Sequence, residues 1–246
     1  MSIPVRDRGY ARPELLAETD WLAGFVQDTK TRIIDARQPQ DYLVGHIPGS
    51  INITGFGGIP RSENRDMAEP EEFARMVSEL GIGNDMTVVV YDAPSQMMGT
   101  VAWAFIYYGH SNVKILDGGF AKWINEGRPV STEVPLYPEA SFVPTTVENV
   151  YCSLDHAKQA ISQPKTIFWD TRSQPEYKGI AQAGPSASNA PQGRIAGAIN
   201  LEWSELFEDE TKLLKPATEI SSILNSKGLT PECEICLLYT SPSPRD

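Results

Sequence analysis

The chain has 246 residues, 41% of them hydrophobic and 22% charged, which is enough apolar material for one large domain or two smaller ones. A formal net charge of −11 and a pI near 4.8 set it against phosphate backbones and anionic lipid, so neither nucleic acid nor a membrane is an expected partner. No apolar run of roughly 18 residues supports a membrane span, no apolar segment follows the N-terminal charges, and Cys152, Cys233 and Cys236 are too few for a disulfide framework; a cytoplasmic location is expected.

In chain order, a short apolar run from Arg32 to Ala36 leads into Asp35-Ala-Arg37 and a polar turn containing Tyr42. A second run starts at Gly45-His46-Ile47-Pro48-Gly49. EEFARMVSELG then predicts an amphipathic helix with Phe73, Met76, Val77 and Leu80 on one face, and Gly81 stands where a helix C-cap favours glycine. TVVVYD is a continuous β-branched run of the kind buried on both faces of a parallel sheet. APSQMMG is expected to be a loop, TVAWAFIYYG a helix, and VKILDGG a buried strand ending in a turn. Glu126 to Glu148, rich in Pro, Glu and Thr, is expected to be a connection.

The pattern then restarts. Asp35, Arg37 and Tyr42 recur as Asp170, Arg172 and Tyr177, 135 residues on, and Asn52 recurs as Asn200, 148 residues on. The 13 extra residues of the second copy fall in IAQAGPSASNAPQ, a composition that marks an exposed loop. ATEISSILNSKG repeats the helix, with Ile220, Ile223 and Leu224 in similar spacing and Gly228 at the cap. A repeat this long indicates tandem domains rather than a solenoid. The expected division is a first domain over 8–130, a connection over 131–147 and a second domain over 148–246. Strands alternating with helices give an α/β class with mostly parallel sheets and helices on both faces.

The run from Asp35 to Asn52, D-x-R-x(3)-D-Y-x-x-G-H-I-P-G-S-x-N, resembles the opening signature of a rhodanese domain. LDGGFAKW, from Leu116 to Trp123, is similar to the same family's closing signature. The resemblance covers nearly the whole chain, and its tandem layout is similar to that of thiosulfate and 3-mercaptopyruvate sulfurtransferases. It implies two tandem rhodanese-like domains, the second incomplete. It also implies a nucleophilic cysteine at the end of a buried strand, in a loop whose N–H groups and following helix dipole stabilise thiolate and persulfide. That cysteine would take sulfane sulfur from a small anionic donor, thiosulfate or 3-mercaptopyruvate, and pass it to a thiol, to cyanide or to a reducing protein. No cofactor and no metal is implied.

In the first copy the strand closes on Asp92, which cannot form a persulfide, so this copy is read as catalytically silent. Thr100 stands where the family pattern has an Arg. Measured from the Gly81–Gly228 match, the slot in the second copy falls on Tyr239, whose phenol, with a pKa of about 10, stays protonated near neutrality and forms no persulfide. The catalytic loop, the last helix and the last strand have no counterpart after it. The sequence beyond about Ile235 is read as foreign or frame-shifted, and the 246-residue form is expected to be inactive.

Arg172 is a candidate to bind the donor's anionic end through its guanidinium fork, or equally to hold the turn by an ion pair with Asp170 or Glu176. Arg194 is a second candidate, alternatively a corner-ordering group, and Arg61 is weaker. His46 is read as ordering its corner, because the second copy has Arg194 in its place. Cys233-Glu234-Ile235-Cys236 spells C-x-x-C, but at the start of a strand and without a second pair for zinc it is read as coincidental. Cys152 is read as incidental. The rival to a sulfurtransferase is a noncatalytic double module that binds anions or partners. A phosphatase on this fold would need a longer Cys-led loop.

Overall fold

The β-branched runs become the strands, and their alternation builds two cores. The computed structural model describes residues 3–55, 57–62, 67–93, 97–180 and 193–238. The chain forms two compact units, one of Met1–Tyr151 with Glu210–Leu213, the other of Cys152–Asp209 with Leu214–Asp246.

In the first unit the strands are β1 (Leu16–Ala17), β2 (Thr31–Asp35), β3 (Ser50–Asn52), β4 (Thr87–Tyr91) and β5 (Val113–Leu116). The helices are α1 (Thr19–Ala23), α2 (Pro39–Val44), α3 (Pro70–Glu79), α4 (Met97–Tyr107) and α5 (Gly119–Asn125). The sheet order is β1-β5-β4-β2-β3 and every pair is parallel, so β4 is central. Successive side chains of a strand face opposite sides. Ile34, Val88 and Val90 therefore enter one core with Phe73 and Val77 of α3 and Val101 and Phe105 of α4. Ile33, Val89 and Tyr91 enter the other with Leu22 of α1 and Trp123 of α5. Sequence after α5 is packed rather than free: Phe142 is buried in the first core, Tyr137 lies under the Arg32 guanidinium at 3.5 Å, and Tyr137 Oη donates to Gly49 O at 2.7 Å.

One expected boundary moves. The predicted loop APSQMMG gives way to helix at Met97, earlier than expected. The buried Asp92 carboxylate accepts from Met98 N at 3.0 Å and so satisfies a donor of the first helical turn.

The second unit contains α6 (Leu154–Ala160), β6 (Thr166–Asp170), α7 (Gln174–Tyr177), β7 (Ile199–Asn200), α8 (Ala217–Ser226) and β8 (Glu234–Leu238). Its sheet order is β7-β6-β8, all parallel. The repeat holds in register. Asp35 lies opposite Asn52 and Tyr91, and Asp170 lies opposite Asn200 and Leu238. Strand β8 thus stands where β4 stands, and it runs three residues beyond Ile235, where the pattern was expected to fail. Its burial differs: Val88 to Tyr91 are fully buried, whereas Ile235 and Leu237 are 39% and 48% exposed. Helix α8 buries no residue completely, while α3 buries Phe73, Ala74 and Val77. The second core is correspondingly small, built on Ala160, Phe168, Ala198 and Cys236. Residues 181–192, most of the predicted insertion loop, lie outside the described residues.

Candidate active site

Each unit builds the same frame at the end of its β2-type strand. The Asp35 carboxylate is wholly buried and accepts Arg37 N at 2.9 Å, Arg37 Nε at 3.0 and 3.1 Å, and Arg37 Nη2 at 2.6 Å. Asp170 does the same for Arg172: backbone N at 3.1 Å, Nε at 2.9 and 3.1 Å, Nη2 at 2.6 Å. Each Nη2 also reaches a turn carbonyl, Gly45 O at 2.6 Å or Gly193 O at 2.9 Å. The Asp170 bond, with the Asp170 charge, holds the Arg172 guanidinium above its ordinary pKa. Asn52 Nδ2 clamps the carbonyls of Asp35 and Arg37, and Asn200 Nδ2 those of Asp170 and Arg172. Tyr42 Oη donates to Ser50 O and Tyr177 Oη to Ala198 O. These bonds fix the turn as a rigid block, because nearly every polar group at the strand end is spoken for.

The corner residue differs between the copies. His46 is buried, with Nδ1 2.8 Å from Tyr42 O, Nε2 3.0 Å from Glu133 O, and its ring stacked on Tyr42 at 3.9 Å. Arg194 lies over Tyr177 at 4.5 Å and donates from Nη1 to Tyr177 O at 3.4 Å.

The resemblance puts the nucleophile just past the end of the central strand. In the first unit, Tyr91 Oη donates to Asp35 Oδ2 at 2.7 Å, and burial beside that carboxylate drives the phenol pKa upward. Asp92 follows, 1% exposed, with its carboxylate at the α4 N-terminus and its carbonyl accepting Phe120 N at 2.9 Å. Gly119 makes that approach possible: at φ +54° a Cβ there would stand 2.4 Å from Asp92 O. An acid therefore occupies the place where the resemblance puts a thiolate. In the second unit the matching strand residue is Leu238, and the slot, Tyr239, lies outside the described residues. Leu238 cannot supply the hydroxyl that Tyr91 gives to Asp35.

The other candidates fall as follows. Arg172 is 17% exposed; its Nε and Nη2 are committed, and Nη1 has no hydrogen-bond partner among the described residues. Glu176 caps α7 with Ser173, and its charge adds a smaller upward pull on the Arg172 guanidinium. A cleft of about 340 Å³ in this unit is lined by Tyr177, Lys178, Glu202, Glu205 and Lys227 among others, and neither Arg172 nor Arg194 lines it. Arg61 Nη1 reaches Met67 Sδ at 2.9 Å. Cys233 and Cys236 do not act as a pair. Cys233 Sγ faces Thr230 Oγ1 at 3.8 Å, while Cys236 Sγ meets Cys152 Sγ at 3.3 Å. Burial, reinforced by Cys152, pushes the Cys236 thiol up to about 12, the reverse of what a nucleophile requires. The sequence reading missed Cys152 as a partner. Its four-residue spacing to His156 was the available signal.

A parallel sheet whose central strand delivers its last residue to a helix N-terminus defines the class: α/β proteins that place their reactive groups at the carboxyl ends of the strands. The Rhodanese-like domain family model matches residues 18–126. The chain is 34% identical to the "Sulfur carrier protein TtuD" of Thermus thermophilus, over 92% of this chain and 82% of that protein. It is 31% identical to a "Putative thiosulfate sulfurtransferase" of Mycolicibacterium smegmatis, over 91% and 82%. Its fold matches the crystal structure of SseA from Escherichia coli, a 3-mercaptopyruvate sulfotransferase by its description, with a TM-score of 0.79, 25% identity and 91% and 87% coverage. The chain belongs to the rhodanese family of sulfurtransferases. No helix among the described residues is long and apolar enough to cross a membrane.

Proposed function

We propose that this sequence is a cytoplasmic tandem sulfurtransferase whose chemistry belongs to the second domain, 148–246, with 8–130 a silent scaffold domain joined through 131–147. The observation that carries the reading is the shared register: Asp170 opposite Leu238 repeats Asp35 opposite Tyr91, which supports position 239 as the nucleophile slot. A cysteine there would attack the outer sulfur of thiosulfate, forming a persulfide and releasing sulfite with the electron pair of the broken S–S bond. With 3-mercaptopyruvate the broken bond is C–S, and pyruvate leaves after taking a proton at carbon. A thiolate or cyanide then removes the outer sulfur and regenerates the Cys thiolate.

Arg172 is the proposed anion-binding residue. Its fork is anchored by Asp170, and its remaining Nη1 is left for the donor's sulfonate or carboxylate. Arg194 is the second proposed contact. With Tyr239 in the slot, the 246-residue form has no nucleophile and is inactive. The test is a sulfur-transfer assay with thiosulfate and 3-mercaptopyruvate on this chain and on an engineered variant, in which Tyr239→Cys is followed by a small-residue loop and a helix. Activity in the second alone is expected. Inactivity in both would favour the rival reading, a noncatalytic double module that binds anions or partner proteins.

A further inference from the structure

Three side chains that sulfur transfer does not use converge in the second unit. Cys152 Sγ lies 3.3 Å from Cys236 Sγ, and one donor atom from each of Cys152, His156 and Cys236 lies within 4.8 Å of the others. Local structure holds them there. Ser153 caps α6 by accepting His156 N at 3.1 Å, which places Cys152 and His156 on the same opening turn. Cys236 enters from β8, 3% exposed, against Ala160 and Phe168. Glu234, two residues earlier on the strand, sets Oε1 2.8 Å from His156 Nε2, and its Oε2 accepts from Thr166 Oγ1 at 2.8 Å.

We propose that Cys152, His156 and Cys236 form a binding site for a thiophilic divalent cation of the zinc class, with Glu234 positioning the imidazole. Two thiolates and an imidazole are a donor set that takes zinc-like ions in preference to magnesium or calcium. In tetrahedral zinc sites with Zn–S near 2.3 Å, two sulfurs stand about 3.7–3.8 Å apart. The observed 3.3 Å reaches that by opening a few tenths of an ångström, whereas a disulfide at about 2.05 Å needs closure by more than an ångström. A carboxylate on a ligating histidine is the usual outer partner of such sites, because it fixes ring orientation and raises ligand basicity. His156 is half-exposed, so a fourth position is open to solvent or to a ligand. Cys236 pairs with Phe168 in the β6–β8 register, so the strand pairing itself carries the thiol to the α6 turn. The site does not depend on the sulfur-transfer reading.

The test is titration of the reduced full chain with Zn²⁺ alone against a chromophoric chelator, alongside Co²⁺ absorption. One equivalent of Zn²⁺ should bind, and Co²⁺ should show thiolate-to-metal charge transfer. Cys152→Ser and His156→Ala should each weaken Zn²⁺ binding by tenfold or more, and Glu234→Gln by about 10–100-fold, while Cys233→Ser leaves it unchanged. Because His156 and Glu234 are half-exposed, their variants keep the test valid even if Cys236→Ser fails to fold. Zn²⁺ binding that survives Cys152→Ser and His156→Ala, or that is lost in Cys233→Ser, would overturn the site. So would failure to compete with the chelator, or recovery of the chain as a Cys152–Cys236 disulfide that no reductant converts to a Zn²⁺-binding form.

Discussion

Arg194 does in the second unit what His46 does in the first: each lies on the ring of the equivalent tyrosine, Tyr177 or Tyr42, and reaches that tyrosine's carbonyl oxygen. A flat group with an N–H is what the corner needs, and imidazole and guanidinium both provide it. The two differ in burial, and that sets the magnitudes. His46→Ala removes the ring contact to the buried Tyr42 carbonyl and should cost about 1–3 kcal/mol, whereas exposed Arg194→Ala should cost under about 1 kcal/mol. Urea unfolding of each variant checks this; equal losses would mean that burial does not set the cost of losing the corner group.

Arg172 and Arg37 make the same bonds, so they separate structure from binding. Arg172→Ala and Arg37→Ala should each destabilise their own unit, because each leaves a wholly buried carboxylate without its ion pair. In the engineered variant carrying Tyr239→Cys and a small-residue loop and helix, Arg172→Ala should also raise the donor KM more than about tenfold, from a charge-assisted contact of about 1.5–3 kcal/mol. Arg37→Ala should leave KM alone. Steady-state kinetics decide, and similar KM effects from both would remove the binding role.

The paired helix caps predict unequal costs. Gly81 and Gly228 both have φ above +70°, a conformation that costs an L side chain about 1–2 kcal/mol. A Cβ on Gly81 would lie 2.5 Å from Tyr137 Cβ and 2.8 Å from Pro138 O, whereas one on Gly228 meets nothing within 4 Å. Gly81→Ala should therefore lose about 2–5 kcal/mol and Gly228→Ala about 1–2 kcal/mol. Chemical denaturation of the two variants would expose the error if Gly228→Ala proved the worse.

His110 gives the first unit an acid sensitivity. Its ring is buried against Phe105 and Phe142, and burial holds its pKa below the ordinary imidazole value against a weaker pull from the Met86 backbone. Above about pH 6.5 the ring is neutral in both folded and unfolded chains and costs nothing. As pH falls below that value the unfolded chain takes up the proton first, so stability declines until the folded pKa is reached. His110→Phe should reduce the loss in unfolding free energy between about pH 7 and pH 5. Parallel pH profiles for the two proteins would contradict this.

Much of the fold was legible because its cause is local. TVVVY needs only its own β-branched run to read as a strand buried on both faces, and the Asp35/Asp170 repeat shows in sequence that one strand-and-turn unit is written twice. The start of α4 was not legible, because the cap on Met98 comes from Asp92 across residues that read as loop. The fork of Arg172 had two readings in sequence; the structure shows its bonds to Asp170, and the donor contact stays a proposal. Cys152 and Cys236 are 84 residues apart, and only the parallel pairing of β6 with β8 shows that their sulfurs meet.

The most direct measurement is mass spectrometry of the intact chain after incubation with thiosulfate and after incubation with 3-mercaptopyruvate, followed by peptide mapping. The 246-residue form should gain no sulfur on any cysteine. The engineered variant carrying Tyr239→Cys and its loop should gain one sulfur atom, on the cysteine introduced at position 239, and lose it to cyanide. A persulfide on Cys236 of the 246-residue chain would place the nucleophile three residues earlier and contradict the register on which the assignment stands.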